Sequence, residues 1–210
     1  MGGFSYYCLK IKKDSMKKIL FLILFCFLSI GCNKKETKIE LPNQLKWGMS
    51  VDDVKLKGVD ISLKGESKNH NNQYYLIKSE SFPELNFKIV IFKQNNGLIN
   101  YTQNSNYYSS PTVISDESYD PTGEKAISLY NSYISKFDKL YYSSSVNKSI
   151  DPRDNFWVNP TCEGDRPCII SEKMYTDNID TELKITLSVI KAENSIDNVG
   201  IVQISFIKKE

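Results

Sequence analysis

The chain has 210 residues, of which 27 are basic and 25 acidic, so its formal net charge is only +2. Hydrophobic residues make up 40% of it, which is enough to bury one core of ordinary size. Nucleic-acid binding requires Lys and Arg side chains that cluster and displace phosphate counterions. No such cluster occurs, so we expect no nucleic-acid partner.

An apolar run near the N-terminus predicts an export signal. Lys17 and Lys18 precede the apolar residues 19–30, which are fewer than the roughly 20 needed to span a bilayer. Small Gly31 and then Cys32 end the run. A processing site therefore fits this segment better than an anchor helix does, although an ordinary secretory signal and an uncleaved anchor are the alternatives.

The residues before Cys32 also resemble a known processing motif. The sequence Ser29-Ile30-Gly31-Cys32 is similar to the lipobox of bacterial lipoproteins, with the usual aliphatic residue displaced to Leu28. The resemblance implies that 16–31 is a signal peptide and that Cys32 becomes the first residue of the mature chain and carries palmitate and other acyl groups. Asn33 stands where Asp would retain such a protein at the inner membrane of enteric bacteria. By that resemblance the protein is lipid-anchored at the periplasmic face of the outer membrane.

Residues 1–15 precede a signal that is already complete, so we predict that the protein starts at Met16 and that 1–15 is a spurious extension. Five lysines and one aspartate lie before Cys32, which leaves 22 basic and 24 acidic residues after processing. We expect a flexible tether over 32–41, because its residues are polar and charged. The rest, 42–210, is predicted to be a single α+β domain.

Two lobes, 42–118 and 119–210, are expected within this domain, each with one helix and an antiparallel sheet. In the first lobe, Ser50 and Asp53 have the spacing of a capping box and predict a short helix that stops near Gly58. Strands are predicted over 73–77, 87–92 and 98–102, with a hairpin turn at 94–97. The segment 107–118 reads as a loop between the lobes.

The second lobe begins with the clearest periodicity in the chain. Apolar residues recur at three- and four-residue steps over 121–141 and predict a long amphipathic helix after Asp120. Its inward stripe is Ala126, Ile127, Tyr130, Tyr133, Ile134, Phe137 and Leu140. Strands are expected over 156–158, 168–175, 183–190 and 199–207, and the last two should form a terminal hairpin.

The opening Trp47-Gly48-Met49-Ser50, followed by Val-x-x-Val, resembles the G-M-[ST]-x-x-E-V start of the small accessory lipoprotein of the outer-membrane barrel-assembly machinery. The wider group includes the β-lactamase inhibitory proteins, which repeat a helix-and-sheet unit twice. The resemblance implies the two-lobed fold, although Asp53 stands where the motif has Glu. It transfers no binding residue onto this chain.

Three cysteines follow the signal peptide. Cys32 is used by the lipid, so Cys162 and Cys168 form an even pair in an oxidising compartment, and we predict a disulfide between them. A zinc half-site is the alternative, but His70 is the only histidine and two thiolates do not complete a tetrahedral shell. We therefore expect no metal and no cofactor.

No nucleophile-and-base motif, HExxH motif or phosphate-binding loop occurs, and His70 lies in a polar stretch that favours a solvated loop. We expect no catalytic activity.

The hypothesis is a binding or accessory protein whose partners are the membrane, through the lipid, and another envelope protein. An envelope enzyme acting on wall glycan or peptide is the alternative, and an inhibitor or immunity protein is a further one. Tyrosines in or beside loops are candidates for a recognition surface: Tyr107, Tyr108, Tyr119, Tyr141 and Tyr142.

Overall fold

A computed structural model describes residues 38–67, 70–109, 118–147, 168–177, 179–190 and 198–210. These contain a short helix α1 (Val51–Leu56), a long helix α2 (Glu124–Leu140) and eight strands. The strands of the first half are β1 (Ile61–Ser67), β2 (Asn72–Ile77), β3 (Phe87–Lys93) and β4 (Gly97–Tyr108). Those of the second half are β5 (Ser143–Asn147), β6 (Cys168–Thr176), β7 (Thr181–Ile190) and β8 (Val199–Lys208).

The eight strands form one antiparallel sheet in the order β1-β2-β3-β4-β8-β7-β6-β5. Each half of the chain supplies a meander of four strands, and β4 pairs with β8 along nine residue pairs, from Asn100↔Ile207 to Tyr108↔Val199. The prediction of two separate helix-plus-sheet lobes is therefore wrong. The fold is β-rich, with a single continuous sheet and two helices in the described residues.

The error arises from β4, which is twice as long as a typical strand of five or six residues. Its second half is rich in Asn, Ser and Gln, which are poor strand formers, so the sequence indicated a strand ending at 102 and a loop from 107. Pairing with β8 overrides that weak propensity. Tyr107 and Tyr108 consequently lie in a strand, and 118 is the first described residue after Ser109.

The predicted turn between β3 and β4 is confirmed. Asn95 and Gly97 have φ values of 68° and 64°, and the N–H of Asn96 donates to the carbonyl of Lys93 over 3.0 Å. Gly97 has a second role, because a Cβ atom there would lie 2.3 Å from the carbonyl oxygen of Gly48. Its missing side chain lets the segment before α1 pack against the start of β4.

A carboxylate accepts backbone N–H groups at the start of each helix. The capping box of α1 is confirmed: Ser50 Oγ accepts from the N–H of Asp53 over 3.1 Å, and Asp53 accepts from the N–H of Ser50 over 2.9 Å. Helix α2 begins at Glu124, later than predicted, and buried Asp120 accepts from the N–H of Ala126 over 3.0 Å. This carboxylate stabilises the positive end of the helix from outside it.

The core lies on one side of the sheet, where α2 packs on β7 and β8. The predicted stripe is confirmed, because its buried members are Ala126, Tyr130, Tyr133 and Phe137. Phe137 is the centre of an aromatic cluster, stacked on Tyr141 at 6.0 Å and tilted against Tyr175 at 6.2 Å. Ring contacts of this kind contribute about 0.5–1.5 kcal/mol each beyond the buried area.

A loop over 78–86 covers the part of the sheet beside α2. Its Phe82 packs edge-on against Tyr133 with ring centroids 5.6 Å apart, and Leu85 is fully buried. Lys88 of β3 lies beneath the loop and donates to the carbonyl groups of Ser79 and Ser81. Burial lowers the pKa of Lys88 below its ordinary value, since the ammonium is held by neutral carbonyls in the interior.

The folded part of the chain begins earlier than the sequence suggested. Ile39 is 3% exposed and Leu41 is 8% exposed, and both belong to the core. A tether that starts at Cys32 can therefore extend no further than Lys38, and the predicted boundary at 41/42 is too late. The predicted strand over 156–158, and the segments assigned to the signal peptide and the extension, lie outside the described residues.

We predict that Phe137→Ala destabilises the protein by about 3–5 kcal/mol, because it leaves a cavity in the centre of the aromatic cluster. The matched control is Ser128→Ala on the exposed side of the same helix, which should change the free energy of unfolding by no more than about 0.5 kcal/mol. Urea unfolding of both variants measures the difference. Equal midpoints for the two variants would contradict the assigned inward face.

Candidate functional site

The side of the sheet opposite α2 is the candidate site, and we call it the helix-free face, because neither described helix packs on it. Strand residues alternate between the two sides of a sheet. Apart from Ile170 at a bulge, every apolar strand residue of the core points towards α2. The alternate positions form the helix-free face and contribute nothing to that core.

Polar side chains occupy the middle of the helix-free face, on β4 and β8. We call this group the polar array: Asn100, Thr102, Asn104, Asn106, Gln203 and Ser205. Its members bond to one another, since Thr102 Oγ1 and Ser205 Oγ are 3.0 Å apart and Gln203 Nε2 donates to Ser205 Oγ over 2.8 Å. Asn104 Nδ2 donates to Asn106 Oδ1 over 2.9 Å. These bonds order the array and leave its remaining donors and acceptors for a partner.

Apolar side chains lie directly beside the polar array, on β2 and β3. We call them the apolar strip: Tyr74, Leu76, Phe87, Ile89 and Ile91. Phe87 is opposite Asn104 and Ile89 is opposite Thr102 in the register of β3 and β4. Phe87 is 49% exposed and Leu76 is 38% exposed. Large apolar side chains that remain half exposed beside ordered polar groups are typical of a protein-binding surface.

Charged residues continue the helix-free face on β6 and β7. Glu172 is 7% exposed and lies 3.8 Å from Lys184, which is also 3.7 Å from Glu182. The group has one more acid than base. A net negative charge of this kind affects the choice of partner through charge complementarity more than it adds affinity.

The predicted tyrosines do not lie on one surface. Tyr141 is 8% exposed and stacked in the core, and Tyr107 packs against the core from the α2 side, where burial raises its pKa. Tyr108 lies on the helix-free face, next to Tyr119 through a parallel bridge. Tyr142 follows α2 and is 64% exposed. The five side chains are thus divided between the core and separate parts of the surface.

Of the other predicted site residues, Cys168 begins β6, whereas Cys32 and Cys162 lie outside the described residues. The disulfide and the lipid attachment stay predictions. The apolar strip was missed, although the sequence contains its signal. The strand FKIVIF carries apolar residues on both of its faces, and this pattern alone predicts a strand that is covered on both sides.

Two tyrosine–carboxylate pairs fasten α2 to its neighbours. Tyr133 donates to Glu84 over 2.7 Å, and Tyr175 donates to Asp138 over 3.0 Å. Burial first, and the hydrogen bond to a carboxylate second, raise the pKa of both tyrosines well above its usual range. Both hydroxyls therefore stay protonated at neutral pH and act as structural donors.

Within the described ranges, no group of three or more His, Cys, Asp or Glu side chains could hold a metal ion. His70 lies exposed in the turn between β1 and β2, as predicted, and its N–H donates to the carbonyl of Ser67. None of the helices in the described part of the chain is both long and apolar enough to cross a membrane.

Asp177 holds the first folded residues to the turn between β6 and β7. It is buried, and its carboxylate accepts four backbone N–H groups at 2.8–3.2 Å, from Ile39, Ile179, Asp180 and Thr181. Burial alone would raise the pKa of Asp177, but these hydrogen bonds outweigh it and lower the pKa below its ordinary value. A cavity of about 520 Å³ adjoins this turn, between Leu41, Trp47 and Ile179.

We predict that Asp177→Asn destabilises the protein at pH 7 by about 1–3 kcal/mol, because an amide cannot accept all four N–H groups. A lowered pKa means that the stabilisation is complete above the ordinary carboxyl pKa and is lost as the pH falls through the folded-state value. The difference from wild type should therefore shrink below about pH 4.

Urea unfolding at several pH values measures this, with Asp60→Asn as the control. Asp60 is an exposed partner of Lys78 on the surface, so its replacement should have little effect. A difference between Asp177→Asn and wild type that is absent at pH 7, or that grows in acid, would contradict the assignment.

Comparisons with known proteins give this chain no relative from which a function could be transferred. No protein-family model matches it, and neither the characterised proteins nor the solved structures contain a match. The resemblances to the lipobox and to the accessory lipoprotein group stay expectations.

Proposed function

We propose that this chain is a lipid-anchored protein of the cell envelope that binds another envelope protein through its helix-free face, without catalysis of its own. The lipid on Cys32 would place it at the periplasmic face of the outer membrane. The observation that carries the proposal is the pairing of the apolar strip with the polar array. An apolar anchor beside ordered donors and acceptors is the arrangement that protein interfaces use.

The exposure of the apolar strip supports this. On β6 and β7 the helix-free face is buried, since Glu172, Thr186 and Ser188 are only 5–8% exposed. The part open to a partner is therefore the part on β2 and β3, beside the polar array. Phe87 and Leu76 would be the apolar anchors, since both are already half exposed.

The first test concerns the surface. A photo-crosslinking amino acid at Tyr74, in the apolar strip, should give a discrete crosslinked product with an envelope protein in living cells. Phe87→Glu should reduce that product about tenfold or more, because a charge in the apolar anchor costs at least about 1.4 kcal/mol of binding free energy.

The matched control is Ser128→Glu on the exposed side of α2, which should leave the product unchanged. A crosslinker at Ser128 itself should give no discrete product. Urea midpoints of both Glu variants exclude unfolding as the cause. A product that survives Phe87→Glu, or that forms equally well from Ser128, would overturn the assignment of the surface.

The second test concerns the anchor. Cys32→Ser should abolish labelling with radioactive palmitate and release the protein from the membrane fraction, because acyl chains supply the anchoring. A Cys32→Ser protein that is still acylated, has mature size and sediments with membranes would show that another residue carries the lipid.

A further inference from the structure

The chain enters the fold at one end of the sheet, together with the turn between β6 and β7 and the C-terminus. Ile39 donates to Asp177 over 3.2 Å, and Trp47 Nε1 donates to Thr181 Oγ1 over 2.8 Å. The N–H of Lys209 donates to the carbonyl of Asp180 over 2.8 Å. We call the described residues of these three segments, 38–47, 177 with 179–181, and 208–210, the anchor end.

The lipid predicted on Cys32 can lie only a short distance from this end. Lys38 is six residues after Cys32, and Ile39 is already buried and bonded to Asp177. Six residues span at most about 21 Å when fully extended. The ten residues of β8 are about 33 Å long, so the tether is too short to let the opposite end of the sheet rest on the membrane.

We propose that the anchor end lies against the lipid headgroups and is a membrane-contact surface, an inference that depends on the lipid anchor proposed above. Its side chains suit that position. Lys38 and Lys46 are exposed, Ile179 is 64% exposed, and Trp47 is half-buried with its ring beside them. Lysine, tryptophan and exposed aliphatic side chains are those found at the membrane interface.

Charge alone does not provide this contact. The segments of the anchor end contain four lysines and four acidic residues, so the attraction to anionic headgroups is small. The acyl chains supply the affinity, and the anchor end determines the orientation. The strands then run away from the membrane, which leaves the helix-free face side-on and open to a partner in the periplasm.

Tryptophan fluorescence tests the orientation, because the chain contains only two tryptophans, Trp47 and Trp157. Trp157→Phe leaves Trp47 as the single reporter. The acylated mature protein is reconstituted in vesicles of phosphatidylethanolamine and phosphatidylglycerol, with or without a lipid that carries a nitroxide on its headgroup. Trp47 should be quenched about twofold or more by the nitroxide lipid, because it lies at headgroup level.

The matched reporter is Phe87→Trp in a chain that also carries Trp47→Phe and Trp157→Phe. Phe87 pairs with Asn104, which pairs with Gln203, so it lies five residues, or roughly 17 Å, along the strands from Lys208. Its fluorescence should therefore be quenched far less than that of Trp47. Equal urea midpoints establish that both reporters are folded.

The outcomes separate the two proposals. Protein that floats with the vesicles but shows equal quenching at both reporters, or none at Trp47, overturns the orientation alone. Purified protein that does not float with vesicles, and carries no acyl group, overturns the lipid anchor and the orientation with it.

Discussion

Nine residue pairs between β4 and β8 join the two halves of the chain into one sheet, and the rest of the structure depends on this seam. Its backbone hydrogen bonds contribute roughly 0.5–1.5 kcal/mol each. Opening it would expose two long strand edges to aggregation. It would also divide the core, because Tyr101 of β4 and Phe206 of β8 pack edge-on across the seam with centroids 6.0 Å apart.

Among the described residues, helices pack on one side of the sheet only. Helix α2 and the loop over 78–86 cover one side, with Lys88 and the pair Tyr133–Glu84 holding that loop in place. The opposite side has the polar array in its middle, where partly buried polar groups form hydrogen bonds with one another. The apolar strip beside the array is the part of this face that burial by a partner would stabilise most.

Local features were predictable from the sequence wherever neighbouring residues determine them. The capping box of Ser50 and Asp53, the turn ending at Gly97 and the inward stripe of α2 all depend on contacts within a few residues or on a strong period. The seam does not. The second half of β4 has the composition of a loop, and only a partner strand about 100 residues later makes it extended, as in the pair Thr102↔Ser205.

The candidate site was less predictable for the same reason. Tyrosines near predicted loops suggested a recognition surface, but whether a tyrosine is buried depends on the tertiary fold, and Tyr141 lies in the core. Phe87 and Asn104 face the same side only because β3 and β4 are in register. Strands β1 and β5 were not predicted either. Few of their residues are apolar, and each strand lies at an edge of the sheet.

The most direct test of the central claim is the measurement of nuclear Overhauser effects across the seam in the purified mature protein. A single sheet predicts contacts between backbone protons of β4 and β8 at the pairs Thr102–Ser205 and Asn104–Gln203. If β4 shows contacts only to β3, and β8 only to β7, the two meanders are separate sheets. The seam and the continuous helix-free face would then both be wrong.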